Sequence, residues 1–324
     1  MFNHTRAVQI AKSIGKSVYM QLSARRRARL SRTLARSGRM PIAILFYHRV
    51  ADDVVNNWTI SRRGFVRHLD WLEQHFDIVG LDEAQLRIQS SYNNRPTVAI
   101  TFDDGYAENC DFAIPELCRR NIPATYFVAS QFVKTGDPFA HDVKAGFPLV
   151  PNSIDELRDI SSRGIEIGAH TKTHADLGKI HDDAQVRDEI IGGARELAEW
   201  IRRPIRYFSF PFGLPQNMSQ AAVDIVSEAG FRGFCSAYGA WNWPSNPGFH
   251  LRRIHADPDL ESLRNWLTFD HRKLRDRARL PFSEQPRTAG REYCQKTEPI
   301  PCGSLPSCAV VSPQVGSSES YKAL

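Results

Sequence analysis

The stretch Thr97-Val-Ala-Ile-Thr-Phe-Asp-Asp-Gly105 is an unbroken apolar and β-branched run that stops on two carboxylates and a glycine. Such a run predicts a strand buried on both faces. A carboxylate pair at the tip of a core strand is costly to leave unpaired, so it must meet water, a cation or a basic side chain. The plain alternative is a solvated strand-to-helix turn, with one aspartate capping a helix that starts near Tyr106.

A second motif supplies what the pair lacks. His170-Thr-Lys-Thr-His174 directly follows another short apolar strand, Gly164-Ile-Glu-Ile-Gly-Ala169. Two histidines four apart can present both rings to one point, from a helical turn or from a compact loop. Two imidazoles and one carboxylate make an N,N,O set that suits a divalent transition metal and leaves positions open for water and substrate. Taken alone, the pair reads equally as two surface or capping histidines. Both motifs sit just past the carboxyl ends of expected strands, where the loops of an α/β barrel gather. Together they favour a metal site.

Outward from these motifs, strand and helix signals alternate. Pro41 to Tyr47 reads as a strand ending at His48, and Ser61 as the cap of a helix reaching His75. A short strand is expected over 76–81, and further strands over 124–128, 164–169, 207–210, 231–236 and 251–254. Helices are expected over 106–121 (kinked or split by Pro115), 155–163, 182–201 and 219–229. The segment 130–152 reads as a loop, whose polar residues either shape a lid or do nothing of the kind. About eight βα-like units fit an α/β barrel. The expected organisation is an arm over 1–40, a catalytic domain over 41–270 and a disordered, proline-rich tail over 271–324.

The chain has 324 residues and a formal charge of +6, placed unevenly. The first forty residues contain no acid and ten Lys or Arg, and the remainder is slightly acidic. Val8, Ala11, Ile14, Val18 and Leu22 recur at helical spacing, which makes the arm a basic amphipathic helix. Contact with an anionic membrane surface is one use for it, and its composition also resembles an organellar transit peptide. A solvated helix leading into the domain is the plain reading. A nucleic-acid function is disfavoured, because interleaved aromatics and any recognised binding motif are missing. Lysines interrupt any secretory apolar region, and no run approaches the ~18 apolar residues needed to span a bilayer. The expected location is therefore cytoplasmic, or peripheral at the cytoplasmic membrane face. Six cysteines without a Cys-x-x-Cys are expected to be free thiols, with a disulfide among the tail cysteines left open.

Thr101-Phe-Asp-Asp-Gly105, then His170-Thr-Lys-Thr-His174, then Arg206-Tyr-Phe-Ser-Phe-Pro-Phe-Gly213 occur in the order that resembles the polysaccharide deacetylases of carbohydrate esterase family four. Phe46-Tyr-His-Arg-Val50 is similar to the start of members acting on exopolysaccharides. The resemblance covers about residues 41 to 257 and implies a distorted barrel, usually of seven units. It implies Asp103 as general base and Asp104, His170 and His174 as ligands of one divalent metal, with zinc first and cobalt or nickel also fitting. It implies that Arg206 holds the base carboxylate ionised, that the Phe212 backbone N–H binds the oxyanion, and that His255 is the general acid. Asp257 lies near His255, but no aspartate stands out as its partner. Trp241 or Trp243 is a candidate wall for the sugar, although a single tryptophan is more often core, and His48 faces the same mouth.

The implied reaction is hydrolysis of an N-acetyl group on an amino-sugar glycan, with acetate released. The cation polarises the acetamide carbonyl and acidifies water, and Asp103 takes the water proton. Two other readings remain open: a deacetylase of a lipid-linked or small sugar at the cytoplasmic membrane face, and a catalytically silent sugar-binding module.

Overall fold

The structure, a computed structural model, describes residues 18–275 other than 20, 55, 238 and 239, together with residue 280. The strands are β1 (Ile42–Tyr47), β2 (Arg49–Val50), β3 (Thr59–Ile60), β4 (Asp77–Val79), β5 (Thr97–Phe102), β6 (Ala124–Val128), β7 (Glu166–Ala169), β8 (Tyr207–Ser209), β9 (Gly233–Cys235), β10 (His250–Leu251) and β11 (Ile254–His255). The main sheet runs β10-β9-β8-β7-β6-β5-β1-β11, and its ladders are parallel.

The strands β10 and β11 are two halves of one segment, interrupted only by Arg252 and Arg253. One half pairs with β9 and the other with β1, so the segment bridges the two edges and curls the sheet into a distorted (β/α) barrel. The barrel has seven staves. The expected eighth strand, over 251–254, is a true stave, and the overcount lies in the short second strand expected over 76–81. There β4 pairs only with the first three residues of β5, and β6 pairs with the last three. The strand β4 therefore shares a stave and adds none. The strands β2 and β3 form a separate small ladder.

Every residue of β1 and β5 is buried, as a two-faced strand requires. The period of two sorts their side chains. Ala43, Leu45, Val98, Ile100 and Phe102 join the large core with the surrounding helices. Ile42, Ile44, Ala99, Phe127, Tyr207, Cys235 and Leu251 form a second cluster, inside the barrel. Each fully buried aliphatic or aromatic side chain contributes about 1.5–3 kcal/mol, so the barrel is a packed core. Gly168 makes room in it, since a Cβ there would lie 2.4 Å from the Phe127 ring.

Several helices start where their caps predict. Ser61 accepts from the Gly64 N–H ahead of Arg62–His75, and Ser153 with Glu156 forms a capping box ahead of Ile154–Ser162. The expected 106–121 helix is two, Glu108–Asp111 and Ala113–Arg119, broken at Phe112. Pro115 is not the break: it sits in the first turn of the second helix, where its missing N–H costs nothing. The expected loop 130–152 carries two short helices, Ser130–Thr135 and Ala140–Ala145, each closed by a left-handed glycine, Gly136 and Gly146. Six-residue helices are too short to show a clear apolar period. His271–Arg275 is helical where the tail was expected to begin. The readings made for residues 1–17 and for nearly all of 276–324 lie outside the described residues. Cys110, Cys118 and Cys235 are free thiols. Among the described residues no helix is long and apolar enough to cross a membrane.

Candidate active site

Strand period and loop geometry together bring the motif residues to one end of the barrel. Asp103 continues the inward face of β5 after Ala99 and Thr101, and His170 continues that of β7 after Glu166 and Gly168. Neither aspartate caps a helix. Both are buried, at 3% and 4% exposure, and the next helix begins at Glu108 with Ala107 as its cap residue. The solvated-turn alternative is thereby excluded.

Asp104, His170 and His174 form a cluster whose ligand atoms all lie within 4.8 Å of one another. Asp104 Oδ1 is 3.5 Å from His170 Nε2 and 3.2 Å from His174 Nε2. Ligand atoms placed tetrahedrally around one ion at zinc bond lengths are about 3.3 Å apart. The protonation pattern agrees. His170 Nδ1 lies 2.8 Å from the Ser209 carbonyl, which can only accept, so Nδ1 carries the proton and Nε2 presents a lone pair. Asp104 Oδ1 is buried without a hydrogen-bond donor of its own. Lone pairs converging on one buried point are costly unless a cation sits between them. The donor set thus fits a divalent metal. Burial alone would raise the Asp104 carboxyl; with protons on both Nε2 atoms in place of a cation, the His170 and His174 imidazoles would instead hold it well below the usual carboxylate range.

The loops bear strain to make this arrangement. Asp104, Thr171, His174 and Phe212 all have left-handed backbone, with φ between 58° and 75°. Each such non-glycine residue costs of the order of 1–3 kcal/mol and persists only where the surroundings enforce it. For the histidine loop the enforcing group is Glu189, a buried carboxylate that sequence reading missed. It accepts from the Lys172 and Thr173 N–H groups (3.1 and 2.9 Å) and from the Thr173 hydroxyl (2.7 Å). Glu189 lies in a π-helical turn, Asp188–Gly192, between the helices Asp183–Arg187 and Gly193–Ile201. Gly193 lets that helix approach the loop, because a Cβ there would meet the Lys172 backbone at 2.9 Å. Glu189→Gln is expected to loosen the loop and weaken metal affinity about 10–100-fold with little change in melting temperature. Competition with a chelator measures it, and unchanged affinity would remove Glu189 from the account.

Asp103 is held differently from expectation. Arg206 does not reach it. Its guanidinium pairs with Glu166 at 2.7 Å and Asp82 at 3.6 Å. The reason is positional: Arg206 precedes β8, and Glu166 opens β7, so both lie at the floor of the barrel, while Asp103 follows β5 at the mouth. Arg253, fully buried, takes the carboxylate instead through two parallel hydrogen bonds of 2.7 Å. Its other three N–H groups go to Thr101 Oγ1 (3.1 Å), Ser209 Oγ (2.8 Å) and the Ser236 carbonyl (3.0 Å), so all five donors are used. Burial would raise the Asp103 carboxyl, but the Arg253 charge outweighs it and keeps it below the usual range.

Asp103, Asp104, His170, His174, Phe212 and His255 line one cavity of about 380 Å³. Phe212 is at its exposed rim, its ring 5.1 Å from that of His174. His255 Nδ1 lies 3.1 Å from Asp257 Oδ1, and the Trp266 indole N–H donates to the other oxygen of Asp257 at 2.9 Å. Asp257 is therefore the aspartate partner that could not be picked out in the sequence. Trp241 does not wall the cavity. It is buried against Phe269, next to Asn242, which bridges Ile42 at the floor of β1. The aromatic wall is Trp58 with His141, whose rings meet edge-on at 5.3 Å. His141 comes from the helix Ala140–Ala145, so the segment read as a loop does reach the mouth. His48 also lines the cavity, and burial lowers its imidazole pKa against the pull of Asp104 and Asp103. Trp58 Nε1 and His48 Nδ1 are buried and unpartnered among the described residues.

The family model described as polysaccharide deacetylase matches residues 90–234. Among curated proteins the chain is similar to the putative polysaccharide deacetylase YxkH of Bacillus subtilis, with 23% identity over 174 residues (53% of this chain, 57% of that protein). It is similar to a peptidoglycan-N-acetylglucosamine deacetylase of Bacillus cereus, with 26% identity over 174 residues (53% of this chain, 67% of that protein). A chitooligosaccharide deacetylase of Bradyrhizobium is 27% identical over 120 residues (36% of this chain, 47% of that protein). The matches thus span from about half to two thirds of these relatives. Among solved structures, IcaB from Ammonifex degensii superposes with a TM-score of 0.59 at 23% identity, over 70% of this chain and 97% of that one. The Streptococcus pyogenes deacetylase PplD superposes with a TM-score of 0.60 at 16% identity, over 71% of this chain and 99% of that one. At these identities the superpositions show a shared fold.

Proposed function

The chain belongs to the polysaccharide deacetylase family through residues 90–234, and on that premise we propose that it is a metal-dependent hydrolase removing N-acetyl groups from an amino-sugar glycan. The observation that carries this is the pairing of two unlike carboxylates. Asp104 points its lone pairs at the same place as two imidazoles, while Asp103 is kept ionised beside it by Arg253. A ligand and a base, side by side and separately supported, are what hydrolysis of an unactivated amide requires.

A divalent cation held by Asp104, His170 and His174 supplies Lewis-acid polarisation of the acetamide carbonyl and acidification of water. Asp103 accepts the proton of the attacking water, and its orientation is set by the two Arg253 contacts. The water oxygen bonds to the acetyl carbon, and the carbonyl oxygen becomes an oxyanion to which the Phe212 N–H donates. Collapse breaks the C–N bond, with His255 protonating the departing amine and Asp257 orienting the ring. Acetate and a free amino sugar result. The family match ends before Arg253 and His255, so the Arg253 role rests on geometry, and the His255 role on geometry together with the resemblance of its sequence motif. A cavity of about 380 Å³ lies near the small end of ligand sites. It suits one sugar unit, with Trp58 as an apolar wall and donor, and neighbouring units outside.

The test is acetate release from a panel of N-acetylated oligosaccharides, with chelated protein and with zinc, cobalt or nickel restored. Release that stops on chelation and returns with metal is expected. Glycan binding without any acetate release would favour the silent sugar-binding module.

A further inference from the structure

We propose that the outward face of the helix Ala24–Arg36, together with the helical residues just before it, is a docking surface for an anionic lipid bilayer. The inference is independent of the deacetylase reading.

Residues 18, 19, 21 and 22 are also helical, and the turn continues through Ser23: its N–H donates to the Tyr19 carbonyl at 2.9 Å, and the Arg27 N–H to the Ser23 carbonyl at 3.0 Å. Two faces then separate. Tyr19, Ser23, Arg27, Leu30 and Leu34 recur at spacings of four and three. This face looks inward: Leu30 and Leu34 pack on the main core, and the Tyr19 hydroxyl hydrogen-bonds to Asp270. Val18, Leu22, Arg25, Arg29, Arg32 and Arg36 recur at the same spacings on the opposite side, and all are exposed.

The chemistry of the outward face is unusual in two independent ways. Four guanidinium groups stand in a row, residues 18–40 contain no acid, and among the described residues no carboxylate pairs with these four. At the amino end of the row Leu22 is 83% exposed and Val18 47%. An array of like charges facing water repels itself and is stabilised by an anionic surface. A bilayer with acidic lipids answers both features, headgroup phosphates for the arginines and the acyl boundary for Leu22 and Val18. A nucleic acid would answer only the first, and this face carries no aromatic ring on which a base could stack. The helix is fixed to the floor of the barrel: the Met40 N–H donates to the Asn93 carbonyl at 2.8 Å, and the Asn93 N–H to the Gly38 carbonyl at 2.7 Å, just ahead of β1 and β5. Asp103 and Asp104 lie at the other end, so a membrane held there leaves the mouth open.

The full chain is mixed with phosphatidylcholine vesicles, with and without phosphatidylglycerol, and sedimented. Binding is expected only to the phosphatidylglycerol vesicles and should weaken with salt. Each arginine near such a surface contributes about fivefold in partition, so replacing Arg25, Arg29, Arg32 and Arg36 by Gln should lower it at least about 100-fold. Replacing the same four by Lys should preserve it. Leu22→Ser should weaken it about tenfold. Circular dichroism spectra and melting temperatures should be the same in all variants, which reports that they are folded. Equal binding to phosphatidylcholine alone, or no binding to either vesicle, overturns the proposal. Tighter binding to a duplex oligonucleotide, indifferent to Leu22→Ser, overturns it in favour of nucleic acid.

Discussion

Asp103→Asn is expected to lower turnover about 10²–10⁴-fold, the usual contribution of a positioned general base, while leaving one metal per chain. The separation of effects follows from the geometry. Asp103 contributes no atom to the three-residue cluster, and both its oxygens face Arg253. An amide has nearly the same shape but accepts no proton at neutral pH. It does turn one N–H toward the guanidinium, leaving an Arg253 donor without an acceptor at a cost of about 1–3 kcal/mol. Some loss of melting temperature is therefore expected alongside the loss of rate. Metal analysis and acetate release on the same preparation separate the two effects. Loss of metal together with activity would instead make Asp103 a ligand.

Arg253→Met is expected to destabilise the protein by about 3–5 kcal/mol, the cost of stranding a buried carboxylate without its partner. Denaturant titration measures it. Because desolvation alone raises the Asp103 carboxyl, the variant should also lose activity at neutral pH through protonation of the base. The double variant Asp103→Leu with Arg253→Met should regain most of the lost stability while remaining inactive, since it removes both buried charges. Arg206→Gln serves as the contrast. Its partners Glu166 and Asp82 are at the far end of the barrel, and activity is expected to stay within about twofold, as for substitutions that touch no machinery. A silent Arg253→Met and a dead Arg206→Gln would reverse the assignment.

Much of the barrel was legible because its strands are buried on both faces and so read as short apolar runs between polar turns. Thr97–Phe102 and Ile42–Tyr47 show this most plainly. The aspartate and histidine motifs were legible because the residues sit at strand ends in sequence as well as in space. Arg206 was misplaced because its nearness in sequence to Phe212 hid the fact that β8 separates them, floor from mouth. The correct arginine had a signal: Leu251, Arg253 and His255 alternate, and an inward His255 requires an inward Arg253. Trp241 failed for a related reason, since nothing local tells a tryptophan at the floor from one at the mouth. Glu189 could not have been found, because a single π turn inside a long helix leaves no mark on its apolar pattern. The wall formed by His141 and Trp58 was equally hidden, because it depends on two segments meeting across the mouth.

The account stands on one ion held between Asp104, His170 and His174, and anomalous diffraction from crystals grown with zinc tests that directly. A single peak is predicted, bonded to one oxygen of Asp104 and to the Nε2 atoms of both histidines at about 2.0–2.2 Å, with Asp103 outside the coordination sphere. A peak elsewhere, or none in protein that still releases acetate after chelation, would contradict it.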